Sequence, residues 1–248
     1  VQNAPLIVSH RGRADHDLPE NTIEACELAL AQGANALEVD IRFCASGELV
    51  VFHDITLKRV SGRPGMLISS TLADIKNIPL LINDLQKKIY IPTLREFINH
   101  FKNTVPINLE AKVFTPLAGQ FAKYIVRAIK ASGCREQFWV SSFNPVFLRT
   151  VKYCGWDIKT GYLFKKFGVL KKTFERLWFA DFWQPEINVV NDKFIQTAQR
   201  INKDVYIWTV NDNPDIHRIL KYPNLKGIIT DFPQKVKNII EQNLNNLK

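Results

Sequence analysis

Short apolar runs along this chain repeatedly give way to stretches in which apolar residues recur every third or fourth position. Leu6-Ile7-Val8 is such a run, and residues 22–32 follow it with helical spacing. Asn21 stands there as the expected N-cap and Gly33 as the stop. Further strands are expected at 36–41, 105–111, 138–142, 158–163, 186–190, 205–210 and 227–230. Helices are expected between them at 115–131, 145–154, 192–201, 214–220 and 233–244. The pattern over 165–180 assigns no element. Strand-helix alternation favours a parallel sheet, and eight such units suit an α/β fold of the closed (β/α)8, or TIM-barrel, type. An open doubly wound sheet is the alternative. The first strand is not followed by the glycine-rich turn that a dinucleotide-binding sheet of that kind carries.

One region breaks the rhythm. Ser46-Gly47-Glu48 separates the second strand from the alternating run 49–54, which reads as a hairpin. Residues from about 55 to 90 then carry glycines, prolines and one short helix at 72–77, before a helix restarts at 93–101. The whole chain, 1–248, is expected to be one barrel domain, with 55–90 a small insertion over one end.

Composition narrows the class. The chain has 248 residues, 46% of them hydrophobic, enough for a large core. Apolar runs are too short for a transmembrane helix. No basic-then-apolar leader stands at the start, although the chain begins at Val1 and a removed signal or a trimmed start stays open. Cys26, Cys44, Cys134 and Cys154 are scattered without metal-ligand spacing and read as free, buried thiols. A cytoplasmic, reducing location is the expectation. The net charge of +9 is compatible with a solvated basic surface or with attraction of an anionic substrate or membrane. No helix-turn-helix or RNA-binding aromatic pattern accompanies it, so no nucleic-acid partner is expected.

The candidate chemistry sits at strand ends. Residues i and i+2 of a strand share a face about 7 Å apart, so Glu38 and Asp40 point the same way, as do Glu110 and Lys112. In a barrel such positions open toward one mouth. Three carboxylates gathered there resist joint ionisation unless protons or a cation offset them. An all-oxygen set suits Mg²⁺ or Ca²⁺ better than zinc. The alternative is that Glu110 simply pairs with Lys112 or an arginine while Glu38 is solvated. His10 ends the first strand and His53 ends the hairpin, so both can reach that mouth and exchange protons near neutrality. His16, His100 and His217 lack such a setting and read as loop or surface residues.

His10-Arg11-Gly12, Pro19-Glu20-Asn21-Thr22, Glu38-x-Asp40, His53-Asp54 and Glu110-x-Lys112, in that order, resemble the glycerophosphodiester phosphodiesterases. Residues 91–97, 206–212 and 227–233 resemble the same family, so the likeness spans nearly the whole chain. The resemblance implies a TIM barrel with a small insertion after the second strand. It implies Ca²⁺ or Mg²⁺ held by Glu38, Asp40 and Glu110, and an acid–base pair of His10 and His53. Arg11 and Lys112 match the residues that hold the substrate phosphate. Trp208 matches an aromatic lining position, with core packing as its alternative. Glu20 and Asn21 match residues that brace the site from behind, unless Asn21 only caps the helix. Ser46-Gly47 stands where the family often has Asp-Gly, a turn substitution. Residues 164–174, mixing lysines with aromatics, match no motif; lipid head-group contact or an amphipathic barrel helix are their two readings.

The implied reaction is cleavage of a small-molecule glycerophosphodiester into sn-glycerol 3-phosphate and an alcohol. Water or the substrate's own hydroxyl can serve as nucleophile, and either histidine as base. The alcohol and the oligomeric state stay open. Rival readings are a phospholipase D-like enzyme acting on lysophospholipids, a non-catalytic phosphate-ligand binding barrel, and another barrel enzyme such as a sugar-phosphate isomerase.

Overall fold

Strands that are covered on both faces need no polar alternation, and the apolar runs of this chain form such strands. The computed structural model describes residues 4–14, 18–83, 87–113, 117–166 and 179–245. Eight parallel strands close into a ring: β1 (Leu6–Ser9), β2 (Ala36–Phe43), β4 (Ile107–Ala111), β5 (Phe138–Ser142), β6 (Lys159–Phe164), β7 (Phe182–Pro185), β8 (Asp204–Ile207) and β9 (Leu225–Thr230). β1 pairs with both β9 and β2, which completes the closure. β3 (Leu49–Val51) lies outside the ring, antiparallel on the upper half of β2, with Ile41 opposite Val51 and Phe43 opposite Leu49. The fold is the expected (β/α)8 barrel with an added strand.

Helices alternate with the ring strands. They are α1 (Ile23–Ala31), α4 (Leu94–Phe101), α5 (Ala118–Ser132), α6 (Pro145–Cys154), α7 (Asp192–Arg200), α8 (Asn213–Ile219) and α9 (Pro233–Asn245). Their starts are chemically marked. Thr93 and Glu96 form a reciprocal capping box on α4, and Asn144 caps α6 just ahead of Pro145. α5 buries Phe121, Ala122, Ile125, Val126 and Ile129, the one-sided stripe of an amphipathic helix.

Three apolar clusters divide the interior. One lies between ring and helices, with Phe97, Phe121, Phe147 and Trp183 fully buried. A second fills the ring itself, with Val8, Ala36, Trp139, Tyr206 and Ile229. Gly161 belongs to that interior: a Cβ there would collide with the side chain of Gln184, which would then have to shift. The third cluster belongs to the insertion, which holds α2 (Lys58–Ser61) and α3 (Leu72–Lys76) and buries Leu57, Leu67, Ile75, Leu80 and Ile89. Its two ends stand side by side. Val51 N donates to Pro92 O at 2.9 Å, and Val50 bridges Thr93.

Two local expectations are corrected. The strand expected at 186–190 is displaced to Phe182–Pro185, and Ile187–Val189 is a single 3-10 turn. Gln184 is wholly buried inside the ring and Pro185 ends the strand, so neither reads as a strand residue, whereas Ile187 and Val189 pack on the core from a turn. Asn21 does not cap α1. Thr22 does, its Oγ1 accepting from Ala25 N at 3.2 Å, because Asn21 is turned toward β2. Remaining element ends shift by up to three residues, as where β8 ends at Ile207 rather than 210. Cys26 and Cys44 are buried free thiols, while Cys134 and Cys154 are half-exposed and free. No helix among the described residues is long and apolar enough to cross a membrane. His100 and His217 are exposed. His16 and 167–174 lie outside the described residues.

Candidate active site

The C-terminal ends of β1, β2 and β4 and the tip following β3 meet at one rim. β1 runs into a 3-10 turn, His10–Gly12, in which Arg11 adopts left-handed backbone angles (φ 57°, ψ 26°). A non-glycine residue holds that region only when neighbours fix it. Here Arg11 N donates to Glu38 Oε2 at 2.8 Å, and Arg11 O accepts from Asn21 N at 2.7 Å. Gly12 follows with φ 67°, and a Cβ on it would run into Cys26. The turn aims both the imidazole and the guanidinium at the mouth.

Strand alternation and register gather the acids. Glu38 lies beside Asn108, and Asp40 beside Glu110, across the β2–β4 pairing. One carboxylate oxygen from each of Glu38, Asp40 and Glu110 falls within 4.8 Å of the other two, and all three residues are buried. Lys112 Nζ lies 3.1 Å from Asp40 Oδ1 and also binds Glu110, while Arg11 Nε stands 3.4 Å from Asp40 Oδ2. Asn21 clasps Asp40 twice: its Nδ2 donates to Oδ2 and its Oδ1 accepts from Asp40 N, both at 2.9 Å. Glu20 receives Arg11, Arg13 and Arg59 together.

The electrostatics are divided. Burial, then the charges of Asp40 and Glu110, push the Glu38 carboxyl well above its ordinary range. Burial also raises Glu110, although Lys112 opposes it. Burial works against the charge of Asp40 too, but Lys112 and Arg11 outweigh it and hold Asp40 low. Lys112 and Arg11 are raised in turn, the carboxylates overcoming burial. Among the described residues three carboxylates therefore face Lys112 and Arg11, and Glu38 Oε1 is buried without a hydrogen-bond partner. An all-oxygen trio with an unanswered buried oxygen fits a hard divalent cation.

Each histidine is held by a carboxylate on the ring nitrogen nearer the backbone. His10 Nδ1 donates to Asp231 Oδ1 at 2.8 Å, and His53 Nδ1 donates to Asp54 Oδ1 at 2.7 Å. In both rings Nε2 remains for the cleft. Burial lowers the pKa of His53 despite Asp40 and Asp54. His10, Arg11, Glu38, His53, Glu110, Lys112 and Trp208 line one cleft of about 100 Å³. Trp208 forms a wall there while its Nε1 donates to Gln184 O at 2.7 Å, and Phe143 packs edge-on against it at 5.5 Å. Glu20 and Asn21 stand behind the cleft. All the residues singled out from sequence thus converge.

The sequence reading gave no role to four residues. Asp231 and Asp54 orient the histidines, Arg59 holds Asp54, and Asn108 lines the cleft floor with both amide atoms buried and without hydrogen-bond partners among the described residues. Asn108 was findable, since it precedes Glu110 by two on the same strand face.

Comparison with known proteins agrees with this geometry. The sequence profile of the glycerophosphoryl diester phosphodiesterase family matches residues 10–235. A glycerophosphodiester phosphodiesterase of Caldanaerobacter subterraneus is 29% identical over 241 residues, covering 96% of this chain and 98% of that protein. One of Bacillus subtilis is 26% identical over 247 residues, covering 92% and 84%. A solved phosphodiesterase of Oleispira antarctica, in complex with the product sn-glycerol-3-phosphate, superposes with a TM-score of 0.83. It is 25% identical and covers 96% of this chain and 97% of its own.

Proposed function

This chain belongs to the glycerophosphoryl diester phosphodiesterase family, and from that premise we propose that it cleaves glycerophosphodiesters to sn-glycerol 3-phosphate and an alcohol, using His10 and His53 as proton carriers beside a divalent cation. The observation that carries this reading is the convergence of three buried carboxylates and two carboxylate-held imidazoles in one cleft.

Glu38, Asp40 and Glu110 are the residues that would hold the cation, Ca²⁺ or Mg²⁺. When bound it supplies charge to the phosphoryl oxygens. Arg11 and Lys112, both raised in pKa and permanently charged at neutral pH, bind the phosphate and offset the charge that builds during cleavage. His53 is the base: burial favours its neutral form, which accepts at Nε2 the proton of the water or substrate hydroxyl whose oxygen bonds to phosphorus. His10 is the acid and delivers a proton from Nε2 to the departing alkoxide, its ring kept in orientation by Asp231. Trp208 and Phe143 wall the cleft beside these groups.

A coupled assay for glycerol 3-phosphate across several diesters tests the reading. Release is expected to stop with chelator and to resume with Ca²⁺ or Mg²⁺. Glu38→Gln is expected to weaken cation binding measured by calorimetry. The acid limb of kcat/KM, where the free enzyme's base becomes protonated, is expected below pH 6.5, because the depressed pKa of His53 keeps it unprotonated to lower pH. Undiminished release in chelator rules out the cation, and an acid limb above that pH rules out His53 as base.

A further inference from the structure

Away from the cleft, α5 and α6 present a surface of different character. Residues 112–135 and 137–156 contain no Asp or Glu. On α5, Lys123, Arg127 and Lys130 recur at i, i+4 and i+7 and are exposed, with Tyr124 beside them. On α6, Val146, Arg149 and Tyr153 form the matching outward stripe, and Trp156 continues it past the helix end. Tyr153 is 92% exposed and Trp156 82%. The two helices pack together through Phe121 and Phe147, whose rings meet edge-on at 5.6 Å. Their lower ends share a shallow hollow where Lys130 and Trp156 stand beside Arg135, which pairs with Glu136 and Asp157. Their upper ends reach the catalytic rim, where Leu117, Phe143 and Val146 are exposed.

Large aromatic side chains are seldom left this bare on a surface that meets only water. At a lipid–water interface the same set has a use. Tyrosine and tryptophan settle at head-group depth, and lysine and arginine bury their stems while their charges meet phosphate. We propose that the α5–α6 face docks the protein on an anionic lipid bilayer. Charge complementarity selects this occupant: above that hollow the two helices, 118–132 and 145–154, carry cations and no carboxylate, and each Lys or Arg near such a surface favours binding. A second copy of the chain is disfavoured by like-charge repulsion at a net charge of +9. Exposed aliphatic Leu117 and Val146 gain nothing from a nucleic-acid backbone. Docking in this way sets the Phe143 edge of the cleft beside the bilayer. The inference stands apart from the cleavage chemistry.

Co-sedimentation of the whole protein with two kinds of vesicle tests it: phosphatidylcholine alone, and about three parts phosphatidylcholine to one of phosphatidylglycerol. Binding is expected to the mixed vesicles only. The Arg127→Glu, Arg149→Glu double variant is expected to bind at least about tenfold more weakly, since each cation is worth about fivefold near such a membrane. The Tyr153→Ser, Trp156→Ser double variant is expected to lose the part of the binding that persists at high salt, where charge attraction is screened. Neither pair touches the cleft, so unchanged diester hydrolysis and circular dichroism confirm that both variants fold. No binding of the unaltered protein to the mixed vesicles, equal binding by the variants, or a preference for duplex DNA at the same salt would each overturn the proposal.

Discussion

The two imidazoles at the cleft are held by the same chemistry in differently built surroundings. His10 grips Asp231 at 2.8 Å and His53 grips Asp54 at 2.7 Å. Asp231 sits at the end of β9, which the ring closure brings beside β1, with Ser9 opposite Thr230. Asn211 then secures Asp231 from both sides: its Nδ2 donates to the carboxylate at 2.8 Å and its Oδ1 accepts from Asp231 N at 3.0 Å. Asp54 follows His53 in the chain and is held by Arg59, a residue of the insertion whose side chain is 47% exposed. The ring arm is fixed by strand pairing and by the Asn211 amide, with Arg13 Nη1 3.6 Å from Asp231 Oδ1 as its one arginine contact among the described residues. The insertion arm is fixed by ion pairs near solvent, running from Asp54 through Arg59 to Glu20 and so back to Arg11. Two proton carriers of one site can therefore respond differently to salt and acid.

The harshest way to probe the comparison is to remove each imidazole. His10→Ala and His53→Ala are each expected to lower turnover at least about a hundredfold, the scale of general acid–base catalysis, with the fold retained by circular dichroism. Full turnover in either variant would take that histidine out of the reaction and leave the comparison without content.

Changing the carboxylates instead should separate the arms. Asp231→Asn and Asp54→Asn are each expected to reduce kcat about tenfold to a hundredfold, as for other partners that orient a working imidazole. Both carboxylates are held below their ordinary range, and Asp231→Asn should cost the larger acid-sensitive stability. Burial opposes the charge of Asp231, yet His10, Asn211 and Arg13 bring its pKa down to about 2. A depressed carboxylate contributes stability that is fully present above its unfolded value, near pH 4, and is lost as pH falls through 2. The gap between the unaltered protein and Asp231→Asn in denaturant unfolding is therefore expected to be on the order of 2 kcal/mol at neutral pH and to close between pH 4 and 2. A gap that does not change with pH would mean that the ion pair is not its source.

The gentlest probe is Arg59→Ala. Exposed ion pairs are weak and screened, so kcat is expected to fall only about twofold to fivefold. Added salt should then reduce the kcat of the unaltered protein toward that of the variant. A loss as large as that of His53→Ala would show that the insertion arm is as rigid as the ring arm.

Legibility in the sequence followed locality. The ring strands were readable because burial on both faces makes them plain apolar runs, and β7 escaped because Gln184 occupies the ring interior while Ile187 and Val189 imitate a strand from a turn. Glu38, Asp40, Glu110 and Lys112 could be grouped because alternation is a rule of two residues. Asp231 could not be paired with His10, from which 221 positions separate it, until the closure of the ring was known. Asn21 had two readings in its sequence neighbourhood, a helix cap or a brace. Its left-handed backbone, φ 61°, takes it out of the capping position and turns its amide to Asp40. Arg59 lies in a segment without periodicity, so nothing in its surroundings announced where its guanidinium reaches.

The insertion leaves and rejoins the ring at neighbouring backbone positions, where Val51 meets Pro92 and Val50 meets Thr93. A detour whose two gateposts touch can change length or content without tugging on the wall it departs from. Diversification of this scaffold therefore has an inexpensive route, exchange of the 55–90 excursion, provided the replacement brings its own guanidinium to meet Asp54 and Glu20.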